Sequence, residues 1–195
     1  MAKPKVGYNV RLVSFEERHA RAVMNWYYDV RYEAFFREFP DEAMDLGEFK
    51  KFGIKMARVG LGLYVVEENS TGEAIGLMTH SCLKKKAGVF RFGIMLAAGK
   101  QHKSYAIECI ILLGFYLIEH HGMQKYLVEF LESDTHIQRI TEQGGFIRDG
   151  VLAREAFVGG EYVNEVRYYL TREMGYELYG AYHKSLDDLP ANKKN

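Results

Sequence analysis

From Ser104 to about His120 the chain reads SYAIECIILLGFYLIEH, apolar on almost every side. Such a helix has no face to give to water, so it must be covered on both flanks, by a sheet on one and by a second element on the other. That demand excludes an open bundle of amphipathic helices and asks for strands nearby. They are present on the N-terminal side: LGLYVVEE, AIGLMTHSCL and VFRFGIML are separated by the turns NSTGE and KKKAG. Their alternation and turn chemistry predict a three-stranded antiparallel meander.

The remaining segments fall around this centre. NVRLVSF reads as a strand leading into SFEERHARAVMNWYYD, where Ser14 and Glu17 have the spacing of a capping box. A second helical region lies between Val30 and Val59, broken near Phe39-Pro40. Beyond the apolar helix, KYLVEFL is a strand and SDTHIQRITEQ a helix stopped by Gly144-Gly145. FIRDGVLAREAFVGGEYVNEVRYYL is then a hairpin turning at Gly159-Gly160. The order β-α-α-β-β-β-α-β-α-β-β predicts an α+β domain, a mixed and mostly antiparallel sheet with helices on both faces. A single domain over residues 1–172 is expected, followed by a polar C-terminal tail over 173–195.

Charge and cysteine usage bound the function. The 26 Lys and Arg balance the 26 Asp and Glu, so no net field draws the molecule to nucleic acid or to an anionic membrane. Lys84-Lys85-Lys86 is too short a run to change that. Cys82 and Cys109 lie far apart with no CxxC and no His at ligand spacing, so no metal site is expected. Free thiols and the lack of an apolar signal core or of a run long enough to span a bilayer point to a cytoplasmic protein.

The stretch AAGKQHKSYAIECIILLG sets a short basic loop directly before the apolar helix. Amides at a helix N-terminus bind phosphate, and glycine in the loop lets the backbone approach. Before it, Gly93-Ile94-Met95-Leu96 ends a strand, and Gln101-His102-Lys103-Ser104-Tyr105-Ala106 follows. Further on, Ser133-Asp134 leads to Arg139, Glu142, Gly145 and Phe146, ahead of the closing hairpin.

Over residues 9–172 this order and these motifs resemble the GNAT acyltransferases, in particular the branch that contains the ribosomal-protein N-terminal acetyltransferases. In that branch a strand ending G-I-x-I precedes a loop R/Q-x-x-G-x-G/A, and a later helix carries S-N-x-x-A-x-x-L-Y-E-K-x-G-F. The resemblance implies acetyl-CoA or another acyl-CoA as co-substrate and a primary amine of a protein terminus or small molecule as acceptor. It places Ile94, Met95 and Leu96 beside the pantetheine arm. The backbone from Gln101 through His102, Lys103, Ser104 and Tyr105 to Ala106 would lie at the pyrophosphate, with Asp134 near the cofactor.

Four positions depart from the pattern. Ser104 stands where the loop has glycine, Asp134 where the family has Asn, and Arg91 where the branch often has a Glu base. Thr141 replaces the Tyr that protonates the leaving thiolate, and an alcohol is a far weaker acid. Substitute bases would be His80 or, through water, Glu67 or Glu68. Three readings follow: an N-acyltransferase with altered chemistry, a catalytically silent GNAT-fold protein serving as a binding or structural component of a larger assembly, or a regulator that binds the coenzyme and transfers nothing; a homo-oligomer or larger assembly is compatible with each. The run Trp26, Tyr27, Tyr28, Tyr32, Phe35, Phe36 and Phe39 exceeds what one helical face can bury, so part of it is expected to wall a pocket.

Overall fold

The computed structural model describes residues 5–36, 39–40, 43–58, 62–101 and 103–187. The strands among them are β1 (Lys5–Val6), β2 (Val10–Ser14), β3 (Gly62–Glu68), β4 (Ala74–Lys84), β5 (Val89–Leu96), β6 (Lys125–Leu131), β7 (Ile147–Val158) and β8 (Glu161–Thr171). They form one sheet in the order β1-β2-β3-β4-β5-β6-β8-β7. Every pairing is antiparallel except β5 with β6. The fold is the α+β arrangement expected, and the two predicted hairpin regions are in place. At the tip of β7–β8, Gly159 and Gly160 take φ of 61° and 87°, conformations that side-chain-bearing residues rarely adopt.

Alternation along β3 shows how the layers are built. Tyr64 and Val66 point to a cluster that includes Leu113, Leu117 and Ile118 of α4 (Lys103–His121). Leu63 and Val65 point the other way, toward Val23 of α1 (Ala20–Tyr27), Phe36 of α2 (Glu33–Phe36) and Phe49 of α3 (Leu46–Arg58). Both faces are therefore covered, which is why β3 is buried along nearly its whole length. The entry to α3 is a reciprocal capping box, the Glu48 amide donating to Asp45 Oδ1 at 2.8 Å and the Asp45 amide to Glu48 Oε2 at 2.9 Å.

The second cover of α4 is α6 (Arg172–Asp187), where a polar tail was expected. Tyr179 stacks on Phe115 with ring centroids 3.5 Å apart, and the Tyr182 hydroxyl donates to buried Glu108 at 2.7 Å. Glu108 also accepts from the Asn9 amide at 3.0 Å, so it ties α4 to both ends of the domain. The tyrosines fall on one helical face, but Gly175 and Gly180 and the charged residues between them hide that pattern in the sequence. Residues 188–195 lie outside the described residues.

The first helix also starts differently from expectation. Ser14 ends β2 instead of capping, and the turn at Glu17–His19 is closed by the Glu16 amide donating to His19 Nδ1 at 3.0 Å. A His three residues on does here what the carboxylate of a capping box does. With Nδ1 accepting, Nε2 carries the proton, and it faces Glu67 Oε1 at 2.8 Å.

Candidate functional site

The site begins where β5 and β6 separate. Their parallel register covers Val89↔Lys125, Phe90↔Tyr126 and Arg91↔Leu127, and no pairing continues beyond Arg91. Yet β5 stays paired to β4 as far as Leu96↔Gly76, and β6 to β8 as far as Leu131↔Glu165. The outer ladders hold the two strands apart, so alternate main-chain N–H and C=O groups of residues 92–96 point into a gap instead of onto a neighbour. The loop after this strand leads to α4, whose first-turn amides have no partner within the helix.

A cavity of about 810 Å³ runs through the gap. Ile94, Met95 and Leu96 line it, as do Gln101 of the loop, Ala106 of α4, Asp134, and Ile137, Ile140 and Thr141 of α5 (Thr135–Gln143). On the opposite side of the sheet the wall is Tyr32, Phe35, Phe39, Met56 and Leu63. The expected aromatic cluster thus divides: Tyr32, Phe35 and Phe39 reach the cavity, whereas Tyr28 is exposed and Tyr27 packs edge-on against Phe36 and Phe49.

The loop is fixed from both sides. Gly99 takes φ of 81°, and the Lys100 amide closes a turn on the Ala97 carbonyl at 2.9 Å. The Ala98 amide donates to the Tyr32 hydroxyl at 2.6 Å. Lys100, one of the loop's basic residues, meets Glu68 at 3.1 Å and Glu73 at 3.4 Å. Tyr105 turns to Glu68 as well, donating at 2.8 Å, so its side chain faces the β3–β4 turn. Those hydrogen bonds from Tyr105, Lys100 and Thr71 hold the Glu68 carboxyl below its usual pKa. Ser104 sits half-buried in the first turn of α4. His102 and the side chain of Lys103 lie outside the described residues.

Of the three expected catalytic side chains, His80 and Thr141 line the cavity and Glu67 does not. Glu67 is fully buried on the α1–α3 face, with Arg11 at 2.7 Å, Arg18 at 2.5 Å and His19 at 2.8 Å. Burial would raise its pKa, but the hydrogen bonds from His19, Arg11 and Arg18 outweigh burial and lower it, so this carboxylate is a poor proton acceptor. His80 reaches the cavity wall, with its ring stacked on Tyr64 and beside Phe90 and His121. Its Nδ1 is buried without a hydrogen-bond partner. Burial first, then the charges of His121 and Lys5, push its pKa down to about 4, which removes the near-neutral basicity that recommended it. The Thr141 hydroxyl donates to the Ile137 carbonyl of its own helix at 2.8 Å, so its proton is not directed into the cavity. Asp134 caps α5, accepting from the Ile137 amide at 3.2 Å, while also lining the cavity.

One charged group at the gap was not anticipated. Glu129 of β6 has a side chain only 4% exposed, which accepts from Arg91 at 3.1 Å and from Arg167 Nη2 at 2.6 Å. A carboxylate in the middle of KYLVEFL was the signal available, since an acid inside an apolar strand needs cationic neighbours. Among the described residues no cluster of three or more His, Cys, Asp or Glu is arranged to hold a metal. No helix of theirs is long and apolar enough to cross a membrane.

Residues 9–147 match the sequence model of the acetyltransferase (GNAT) domain. This chain belongs to the GNAT family. Solved structures agree in fold. A GCN5-related N-acetyltransferase from Brucella melitensis superposes with a TM-score of 0.77 at 18% identity, covering 99% of this chain and 90% of that one. Spermidine N-acetyltransferase from Vibrio cholerae, in complex with CoA and spermine, gives 0.75 at 20% identity, covering 87% and 99%. RimL, a ribosomal L7/L12 alpha-N-protein acetyltransferase in complex with coenzyme A, gives 0.72 at 13% identity, covering 87% and 98%. No curated protein matches the sequence. At these identities the likeness is one of fold, and the acceptor of this GNAT protein has to be argued from its own residues.

Proposed function

We propose that this GNAT protein is an acyl-CoA-dependent N-acyltransferase acting on a primary amine. The observation that carries the proposal is the opened ladder between β5 and β6, followed by the loop that leads to the start of α4. An extended chain bearing amides, such as pantetheine, completes the main-chain hydrogen bonds that Phe92 to Leu96 lack on that side. The amides at the start of α4 suit a pyrophosphate. Gln101, Ala106, Ile137 and Ile140 would flank the arm. The reaction balances simply: the amine nitrogen bonds to the thioester carbonyl carbon, the carbon–sulfur bond breaks, and the proton lost by nitrogen is matched by the one gained by the thiol.

His80, Glu67 and Thr141 supply neither a ready base nor a ready acid in their present settings. Transfer then depends on the fraction of acceptor already neutral, and its rate rises with pH toward the pKa of the amine. The same observation favours a second reading, a GNAT-fold binding protein that holds the coenzyme and transfers nothing.

Two measurements test both. Millimolar coenzyme A should raise the melting temperature, because a ligand bound only by the native state stabilises it. Absence of a shift sinks both readings. Acceptor-dependent release of free thiol from acetyl-CoA, increasing between pH 7 and 9, supports transfer. A melting shift without thiol release from any amine leaves the binding protein.

A further inference from the structure

On the α1–α3 face of the sheet, the gap is bordered by a strand residue with no side chain. A Cβ at Gly93 would stand 3.1 Å from Thr79 Oγ1 and 3.4 Å from Phe35 Cε2. The hydroxyl and the ring therefore flank bare backbone, at the first residues of β5 beyond its last pairing with β6. Phe39, Met56 and Leu63 continue the wall away from Phe35. Both arginines that line the cavity are paired, Arg31 with Asp29 at 2.5 Å and Arg91 with Glu129.

Resting on the acyltransferase reading above, we infer that Gly93, Thr79 and Phe35 form the acceptor subsite. It takes a primary amine carried on an uncharged, apolar group. The Thr79 hydroxyl can accept one N–H of the amine and leave the nitrogen lone pair free for the thioester carbonyl. The body of the acceptor lies on the Phe35, Phe39, Met56 and Leu63 wall, where burying apolar surface stabilises the complex. An ammonium in this setting loses its water against mostly apolar neighbours, which favours the neutral, nucleophilic amine. A polycation has the opposite requirement, one carboxylate for each buried charge, and of the two that line the cavity Glu129 already serves Arg91 and Arg167 while Asp134 caps α5. Glycine at 93 matters because a methyl there would crowd the Thr79 hydroxyl and the Phe35 ring that receive the amine.

The test uses the full chain with coenzyme A bound and reads binding as well as turnover. 2-Phenylethylamine should bind the coenzyme A complex measurably by calorimetry. In thiol release from acetyl-CoA its kcat/KM should exceed that of spermidine at least tenfold. Thr79→Val keeps the side-chain shape and should reduce kcat/KM for phenylethylamine about tenfold. Gly93→Ala should abolish phenylethylamine binding, and Thr79→Val should keep the wild-type melting shift with coenzyme A. The inference is overturned if spermidine is preferred, if Thr79→Val and Gly93→Ala bind phenylethylamine as wild type does, or if the coenzyme A complex binds no apolar amine. Loss of the coenzyme A shift in wild type itself would instead remove the acyltransferase reading.

Discussion

Arg91 Nη1 lies 3.1 Å from Glu129 Oε2, joining β5 to β6 just where their backbone pairing ends. The ion pair stands in for a ladder bond at the fork, and Arg167 holds the second carboxylate oxygen. The residue that departs from the family's usual Glu is thus part of the support of the opening.

Putting a carboxylate back at that position should therefore harm the fold. In Arg91→Glu two carboxylates face each other with Arg167 alone between them, and the loss is expected to be about 2–3 kcal/mol at neutral pH. Mutual repulsion raises the pKa of one carboxylate in the folded state, so the native protein binds more protons than the unfolded chain near pH 5–7. Its stability deficit should shrink as pH falls. Urea titrations of wild type and variant at pH 7 and pH 5 measure this, and an equal deficit at both values would contradict the arrangement.

His80 should leave a mark on the acid side of the stability profile. Its folded pKa of about 4 lies below the value near 6.5 of an exposed imidazole, so its contribution is intact above pH 6.5 and lost as pH falls toward 4. The loss should be on the order of 2 kcal/mol for a group that keeps some solvent contact. Replacing it by Leu should flatten that limb in chemical denaturation at pH 4.5, 5.5 and 7. A limb of unchanged slope would mean that other groups dominate.

Glu67→Gln separates support from chemistry. The substitution leaves Arg11, Arg18 and His19 facing a neutral amide, and about 2 kcal/mol of stability should be lost, since two of the three partners reach solvent. The coenzyme A melting shift and the thiol-release rate, measured at a temperature where the variant is folded, should stay within twofold of wild type. A hundredfold fall in rate with binding intact would restore Glu67 as the base.

Local patterns in the sequence determine most of the architecture. The meander β3 to β5, the Gly159-Gly160 tip and the Asp134 cap each depend on residues a few positions apart. The fork is legible only as a resemblance, because nothing in VFRFGIML or KYLVEFL says where two parallel strands stop pairing. Glu67 and Glu68 look equivalent in the sequence. Alternation along β3 sends the first to Arg11, Arg18 and His19 and the second to Lys100 and Tyr105. Glu129 could not be assigned for a related reason. Arg91 and Arg167 each lie 38 residues away, on strands that come together only in the folded sheet.

The fork between β5 and β6 is made by main chain that neighbouring strands hold on its outer edges. Closing it would mean breaking one of those ladders, whereas exchanging a side chain along it leaves both intact. A slot of this construction is indifferent to most of what decorates it. In this chain the slot stays open with Arg91 at its fork and Thr141 on its wall.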